Sequence, residues 1–376
     1  MNRILSRITS PTLLLDKQRC IGNIHAMVEK AQRSGVIFRP HFKTHQSLKV
    51  GQWFREAGTE AITVSSVRMA NYFANDGWED ITIAFPLNVR EMEAINHLAG
   101  KIKLNVLIVN KEVLPFMEQN LRHPVGIFIK IDTGYRRTGI DATDYVSVQE
   151  IIDRLDRNPL FQFSGFLTHT GQTYKSSSSQ EILKLHQDTV DKLVKLKENI
   201  HARRERMILS IGDTPSCSVV NRFEKTDEIR PGNFVFYDLM QYHLGSCTPG
   251  QIAVVLAVPV VARYPERNEI AVYGGAVHLS KEYIILSSGK RSYGSIVQFN
   301  ETGWNDIEED GYVSGLSQEH GIIHAGRQLM NRTKIGDLIG IIPVHSCLTA
   351  NLMKGYLTLG GEVVDHFEGR MKGHRA

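Results

Sequence analysis

The sequence predicts an α/β barrel of the (β/α)8, TIM-like kind followed by a C-terminal antiparallel β domain. Three observations predict it. Short apolar runs alternate with helical segments from Thr12 to about Ile211, the pattern of parallel βα units. Eight such runs can be read, and eight parallel strands close a βα barrel. Beyond about Arg230 the long helical periods stop and strand-like runs punctuated by Gly and Asn take over, as antiparallel turns require.

The eight runs are TLLLD (12–16), VIFRPH (36–41), AITVS (61–65), ITIAF (81–85), LNVLIV (104–109), VGIFIKID (125–132), FQFSGFLTH (161–169) and MILSIG (207–212). They are apolar on both faces, as expected where helices cover a sheet. Helical character falls at Lys17–Ser34, Gln46–Ala57, Val67–Asp76, Val89–Ala99, Lys111–Gln119, Asp144–Asp156 and Ser178–Ala202. A doubly wound open sheet is the alternative, but no Gly-rich dinucleotide fingerprint follows the first strand. The later runs include QIAVVLAVPVVARY, EIAVYGGAV, HGIIHA and DLIGIIPVH. The expected division is therefore a barrel over residues 12–239 and a β domain over 240–376, against which residues 1–11 could pack.

Composition narrows the function classes. Of 376 residues, 42% are hydrophobic and 22% charged, an ordinary folded composition. Lys plus Arg number 44 and Asp plus Glu 40, a net charge of +4, too small to argue for nucleic acid. The longest apolar stretch, 251–262, contains Pro259 and falls short of the roughly 20 residues of a membrane helix. The early run TLLL ends at Asp16, too short for a signal-peptide core. Four cysteines (Cys20, Cys217, Cys247, Cys347) are too few for a disulfide scaffold. A cytoplasmic protein without membrane or nucleic-acid partners is expected.

Polar residues gather at strand ends, where a barrel builds its active site. After the second run stands Arg39-Pro40-His41-Phe42-Lys43-Thr44-His45. A lysine there is placed to form a Schiff base, which needs a partly desolvated amine; a solvated turn would use the same residues. Lys130-Ile131-Asp132-Thr133-Gly134-Tyr135-Arg136-Arg137 could hold an anion, because guanidinium forks match oxyanions; surface ion pairing is the alternative. His169-Thr170-Gly171-Gln172-Thr173-Tyr174 offers groups that handle protons. Ser210-Ile211-Gly212-Asp213-Thr214-Pro215-Ser216 would let backbone approach a phosphate, or simply start a helix. In the β domain, His345 and Cys347 stand at i and i+2 and on a strand would share a face. Zn²⁺ suits such an N,S pair, with the remaining ligands supplied from elsewhere.

Taken together, these segments resemble the D-threonine aldolase and D-serine dehydratase group of alanine racemase-like, fold-type III pyridoxal-phosphate enzymes. The resemblance runs from SPTLLLDKQRCIGNIHAM through RPHFKTH to PVHSCLTANL. It implies that Lys43 carries pyridoxal 5′-phosphate, with His41 beside it, and that Arg137 in KIDTGYRRTG bonds the cofactor near its phenolic oxygen. In HTGQTY, Tyr174 would face the substrate. IGDTPS looks like the phosphate cup, giving Ser210, Gly212 and Thr214, and RPGNFVFYD resembles the end of the barrel, with Tyr237 as a cofactor contact. His345-Ser346-Cys347 departs from the His-x-Asp of the aldolases toward the His-x-Cys of the dehydratases. It implies a divalent ion, Zn²⁺ first, with Mn²⁺ or Mg²⁺ as alternatives.

The activity implied is dehydration of a D-3-hydroxy amino acid, with Lys43 as catalytic base, to a 2-oxo acid and ammonia. Retro-aldol cleavage to glycine and an aldehyde is the alternative, with His45 or His169 as the extra base. Racemization and a non-catalytic cofactor carrier fit less well. The family habit implies a homodimer with the site near the subunit junction.

Overall fold

The computed structural model describes residues 2–201 and 207–369. Met1, Ala202 at the expected helix end and residues 370–376 of the expected β domain lie outside the described residues. The chain divides into two compact units, one of residues 25–43 and 54–232, the other of residues 1–24, 44–53 and 233–376.

The first unit is built on a parallel sheet of nine strands, eight in one row and a ninth, Ile140–Asp141, paired beside Val125–Asp132. The row runs in the order Ile37–Phe38, Glu228–Ile229, Ile208–Ile211, Phe161–Thr168, Val125–Asp132, Lys103–Ile108, Asp80–Pro86 and Ala61–Val64. The two ends of this order meet through a parallel bridge between His41 and Thr63, with Phe42 N–H donating to the Thr63 carbonyl (2.9 Å) and Thr63 N–H to that of Pro40 (2.9 Å). The unit is thus barrel-like. The strands are buried on both faces, Ile127, Phe128 and Ile129 almost completely. That explains the unbroken apolar runs. The expected helices appear within a few residues. Ser66, Asp144 and Ser178 cap three of them by accepting the N–H groups of Met69, Ser147 and Glu181, each side-chain cap satisfying a donor that the first helical turn leaves unpaired.

One of the eight expected barrel strands belongs elsewhere. Thr12–Leu15 pairs antiparallel with Val254–Tyr264 and parallel with Tyr356–Thr358, in the sheet of the second unit. Leu13, Leu14 and Leu15 are buried on both faces there too, so burial period alone could not separate the two settings. The eighth strand of the row is Glu228–Ile229, two residues long and too short to show a period. Glu228 is fully buried because it is charge-paired: its carboxylate accepts from Arg39 Nε (2.6 Å) and Ser210 Oγ (2.6 Å). Arg230 Nε in turn donates to Ser210 Oγ (2.7 Å).

The second unit carries a nine-stranded sheet, predominantly antiparallel. Val254–Tyr264 pairs through residues 256–259 with Leu338–Pro343 and through residues 260–264 with Glu269–Tyr273. A bulge between Val260 and Ala262 bends the strand, as bulges do. Glu269–Tyr273 continues to His320–Ala325, Gly311–Leu316, Gly294–Val297 and back to Leu338–Pro343, so these six strands close on themselves. Among the described residues no helix is long and apolar enough to cross a membrane.

Candidate active site

In the parallel unit, the chain reaches Lys43 along a firmly held segment. His41 N–H donates to the Pro231 carbonyl (2.8 Å) and Phe42 N–H to that of Thr63. Phe42 is fully buried with its ring 5.0 Å from Phe54 and Phe73 and 5.1 Å from Trp78. The anchored Phe42 leaves its neighbours His41 and Lys43 on the accessible side, Lys43 exposed and His41 half-buried. Lys43 N–H donates to His41 Nδ1 (3.4 Å).

His169 follows the strand Phe161–Thr168, its Nδ1 2.6 Å from the Gly212 carbonyl. A carbonyl only accepts, so Nδ1 carries the hydrogen and Nε2 keeps its lone pair. The ring stands edge-on to Tyr135 at 5.7 Å and 6.1 Å from Tyr174. Tyr135 lies against Gly171, where a Cβ would collide with the ring, so HTGQTY needs its glycine. Arg137 is exposed and sits 5.2 Å from the Tyr135 ring.

The electrostatics of this cluster are one-sided. Burial and then the charges of Lys43, Arg230, His169 and Arg137 push His41 well below its usual range. His169 is lowered by burial, Lys43 and Arg137. Lys130 is buried in mid-strand, and burial with Arg230 and Arg137 brings it down to about 7. Lys43, His41, Arg137 and His169 are therefore brought together, with Lys130 and Arg230 as two further cations that the sequence reading did not assign to the site. Their signal was present: a lone lysine inside the apolar VGIFIKID, and an arginine directly after the buried pair Glu228–Ile229.

The expected phosphate cup starts the helix Thr214–Val219. Asp213 caps it, with Oδ1 accepting from Ser216 N–H (2.7 Å) and Thr173 Oγ1 (3.0 Å); burial pushes its carboxyl up to about 6. Thr214 N–H donates to Tyr174 Oη (3.3 Å), which joins Tyr174 to the cup. The Thr214 hydroxyl is buried with no hydrogen-bond partner among the described residues, and the Ser216 hydroxyl beside it faces the Asp213 carboxylate. Gly212 admits no side chain, since a Cβ would lie 2.9 Å from Arg230 Cβ. Ser210 is placed differently from Thr214, its hydroxyl occupied by Glu228 and Arg230. The orphaned Thr214 hydroxyl and the surrounding cations fit a phosphate-bearing anionic cofactor held near Lys43.

The other expected residues lie in the second unit. His45 is fully buried, Nδ1 accepting from Ser47 N–H (3.1 Å), and burial lowers it to about 3. Tyr237 is buried with φ 51°, its N–H donating to the Asn233 carbonyl (2.8 Å). His345 and Cys347 do not share a strand face as expected. The strand ends at Pro343, His345 occupies the N-cap position of helix Ser346–Met353, and Cys347 lies in its first turn. The turn still joins imidazole and thiol in a side-chain hydrogen bond. Burial opposes the imidazolium, but the Cys347 sulfur and the Asp238 carboxylate carry His345 up to about 9. Burial likewise opposes the thiolate, and His345 with Thr44 holds Cys347 below its usual range.

Among the described residues, no group of three or more His, Cys, Asp and Glu is placed to hold a metal ion. The N,S donor pair fits a borderline-soft divalent ion whose remaining positions are open to water or substrate.

Residues 15–239 match the alanine racemase N-terminal domain and residues 253–359 a putative serine dehydratase domain. The chain belongs to the alanine racemase-like family of fold-type III pyridoxal-phosphate enzymes. Within this family it is 30% identical to a D-serine dehydratase of Dictyostelium discoideum, over 96% of each chain. It is 25% identical to a D-threo-3-hydroxyaspartate dehydratase of Delftia sp. strain HT23, over 96% of this chain and 97% of the relative. The solved structure of the Delftia enzyme gives a TM-score of 0.87 at 25% identity, covering 98% of this chain and all (100%) of that one. D-threonine aldolase of Filomicrobium marinum shares the fold at 19% identity and a TM-score of 0.81, over 96% of each chain. Lys43, Arg137, His169, Tyr174 and the cup fall within the racemase-like match, His345 and Cys347 within the dehydratase-like one.

Proposed function

We propose that this chain is a pyridoxal-phosphate-dependent lyase that removes water from D-3-hydroxy amino acids, giving a 2-oxo acid and ammonia. The observation that carries the reading is the cation cluster around Lys43 beside a cup whose buried Thr214 hydroxyl has no partner among the described residues. The dehydratase relatives, similar over nearly the whole chain, support the choice of reaction.

Pyridoxal phosphate, when bound, accepts the electron pair released at Cα, so the protein's task is to choose which bond breaks. Lys43 Nζ would hold the cofactor and, when free, would take the α-proton. Thr214, Ser216 and the backbone after Gly212 would bind the phosphate, and Arg137 would orient the cofactor ring. Because His41 and His169 are held neutral, they do not add to the positive charge opposing a protonated Lys43. Tyr174, joined to the cup through Thr214, lines the substrate side. His345 and Cys347 would hold a divalent ion, Zn²⁺ first, which would supply Lewis acidity toward the departing β-hydroxyl. The enamine released by loss of water hydrolyses to the 2-oxo acid and ammonia.

We also read the parallel unit as a closed (β/α)8 barrel of the alanine racemase type, and the protein as a cytoplasmic homodimer with the site near the subunit junction. Retro-aldol cleavage is the second reading. It is favoured by His169, whose Nε2 lone pair could take the β-hydroxyl proton. Incubating the holoenzyme with D-serine, D-threonine and D-3-hydroxyaspartate separates the two. A 2-oxo acid with ammonia supports dehydration, and glycine with an aldehyde supports cleavage. A protein that stays colourless with added pyridoxal phosphate contradicts both.

A further inference from the structure

The segment RPGNFVFYD contains two buried polar residues to which the reaction above gives no task. Asn233 is 5% exposed and Asp238 1%, deep enough that their hydrogen bonds must be specific. Both converge on the turn that carries His345 and Cys347. Asp238 Oδ2 accepts from Ser346 N–H (2.9 Å), Ser346 Oγ (3.3 Å) and Asn233 Nδ2 (2.6 Å). Its Oδ1 accepts from Gln241 N–H (2.9 Å), so one carboxylate ties together the starts of two helices, Leu239–His243 and Ser346–Met353. Asn233 Nδ2 also donates to Ser346 Oγ (3.0 Å) and reaches Cys347 Sγ (3.4 Å). With Thr44 Oγ1 at 3.2 Å, the sulfur has two polar neighbours besides His345.

We propose that Asn233 and Asp238 are positioning residues for a divalent cation on His345 and Cys347. This rests on the metal reading of that pair. Asp238 fixes the Ser346 backbone between the two ligands, and so the angle at which imidazole and sulfur face one ion. Asn233 Nδ2 and Thr44 Oγ1 stand on the sulfur at 3.4 and 3.2 Å and restrict where it can face, as partners of a metal ligand do. The charges also balance: a neutral imidazole, a thiolate and the Asp238 carboxylate offset a dication in a site largely withdrawn from water.

The test is Zn²⁺ affinity of the full-length protein, stripped with a chelator and titrated against a chromophoric competitor. Thermal unfolding of each metal-free variant is measured alongside. Asn233→Ala and Asp238→Asn are each expected to weaken Zn²⁺ binding by about 10–100-fold, the usual effect of removing a partner of a ligand. Thr44→Val is expected to weaken it less, and Thr44→Ser to restore it. Asp238→Asn keeps an acceptor for only one of Ser346 and Gln241, so Asp238→Glu, which keeps both oxygens but displaces them, is the variant to use if the others unfold and is likewise expected to weaken Zn²⁺ binding. Wild-type Zn²⁺ affinity in Asp238→Asn and Thr44→Val, with binding lost in Cys347→Ala, overturns the inference while leaving the metal reading intact. Absence of Zn²⁺ binding by the wild-type protein overturns both.

Discussion

In the parallel unit, burial beside cations drives His41, His169 and Lys130 toward their neutral forms. In the antiparallel unit, a buried thiol and carboxylate carry His345 the other way, up to about 9. Burial acts in the same direction on all the histidines, so the neighbours decide the outcome. The first cluster concentrates positive charge and leaves the Thr214 hydroxyl without a partner among the described residues, a setting that an anionic cofactor relieves. The second already pairs imidazole with sulfur through a hydrogen bond, a setting in which, on the proposed reading, a cation takes the place of the shared proton.

The largest expected effect comes from removing the centre of the first cluster. Lys43→Ala should lower turnover by about 10³-fold or more and abolish the visible absorbance of lysine-bound cofactor. Retained turnover and colour in that variant would sink the assignment of Lys43. Breaking the second cluster should be milder but still large: Cys347→Ala or His345→Ala is expected to cost at least about 10²-fold in dehydration. Cofactor binding should be unchanged, so the absorbance spectrum and the rate report the two clusters separately.

Stability effects sharpen the contrast further. Glu228 is the carboxylate that Arg39 and Ser210 share, with Arg230 one hydrogen bond further on. Glu228→Gln should therefore leave Arg39 only its partly exposed second partner, Asp80, at a cost of about 1.5–3 kcal/mol, measurable by denaturant unfolding of the cofactor-free protein. Lys130 gives the smallest effect and a defined pH signature. Its ordinary value of 10.5 falls to about 7 in the fold, so between those values the unfolded chain binds more protons and stability rises with pH. Below about 7 the lysine is charged in both states and the full penalty of burying it is felt; above 10.5 it is neutral in both and the penalty vanishes. The stability gain of Lys130→Met over the wild-type protein, compared without cofactor, should thus be greatest below pH 7 and shrink as the pH rises toward 10.5. A gain independent of pH would refute the depressed value.

Much of this was legible in the sequence. Apolar runs and helical periods located seven of the parallel strands, and the polar groups at their ends located Lys43, Arg137 and His169. Thr12–Leu15 was misplaced because a strand in the middle of either sheet is buried on both faces. Glu228–Ile229 escaped because two residues have no period and a buried glutamate gives no apolar signal. Lys130 was passed over as part of a loop cluster, although a charged residue within a covered strand must be compensated or neutralised. His345 and Cys347 were found by residue type. Their backbone setting was not, because His-x-Cys reads equally well as a strand face or a helix start. The cap that fixes it, Asp238, lies more than a hundred residues away in sequence.

The most direct measurement is release of 2-oxo acid and ammonia from D-serine by the chelator-stripped holoenzyme, before and after adding Zn²⁺, with Cys347→Ala as the comparison. The account predicts that stripping lowers the rate at least about 10-fold, that Zn²⁺ restores it, and that Cys347→Ala does not recover. Turnover unaffected by stripping, or glycine and an aldehyde from D-threonine with no 2-oxo acid from any of the three amino acids, would contradict it.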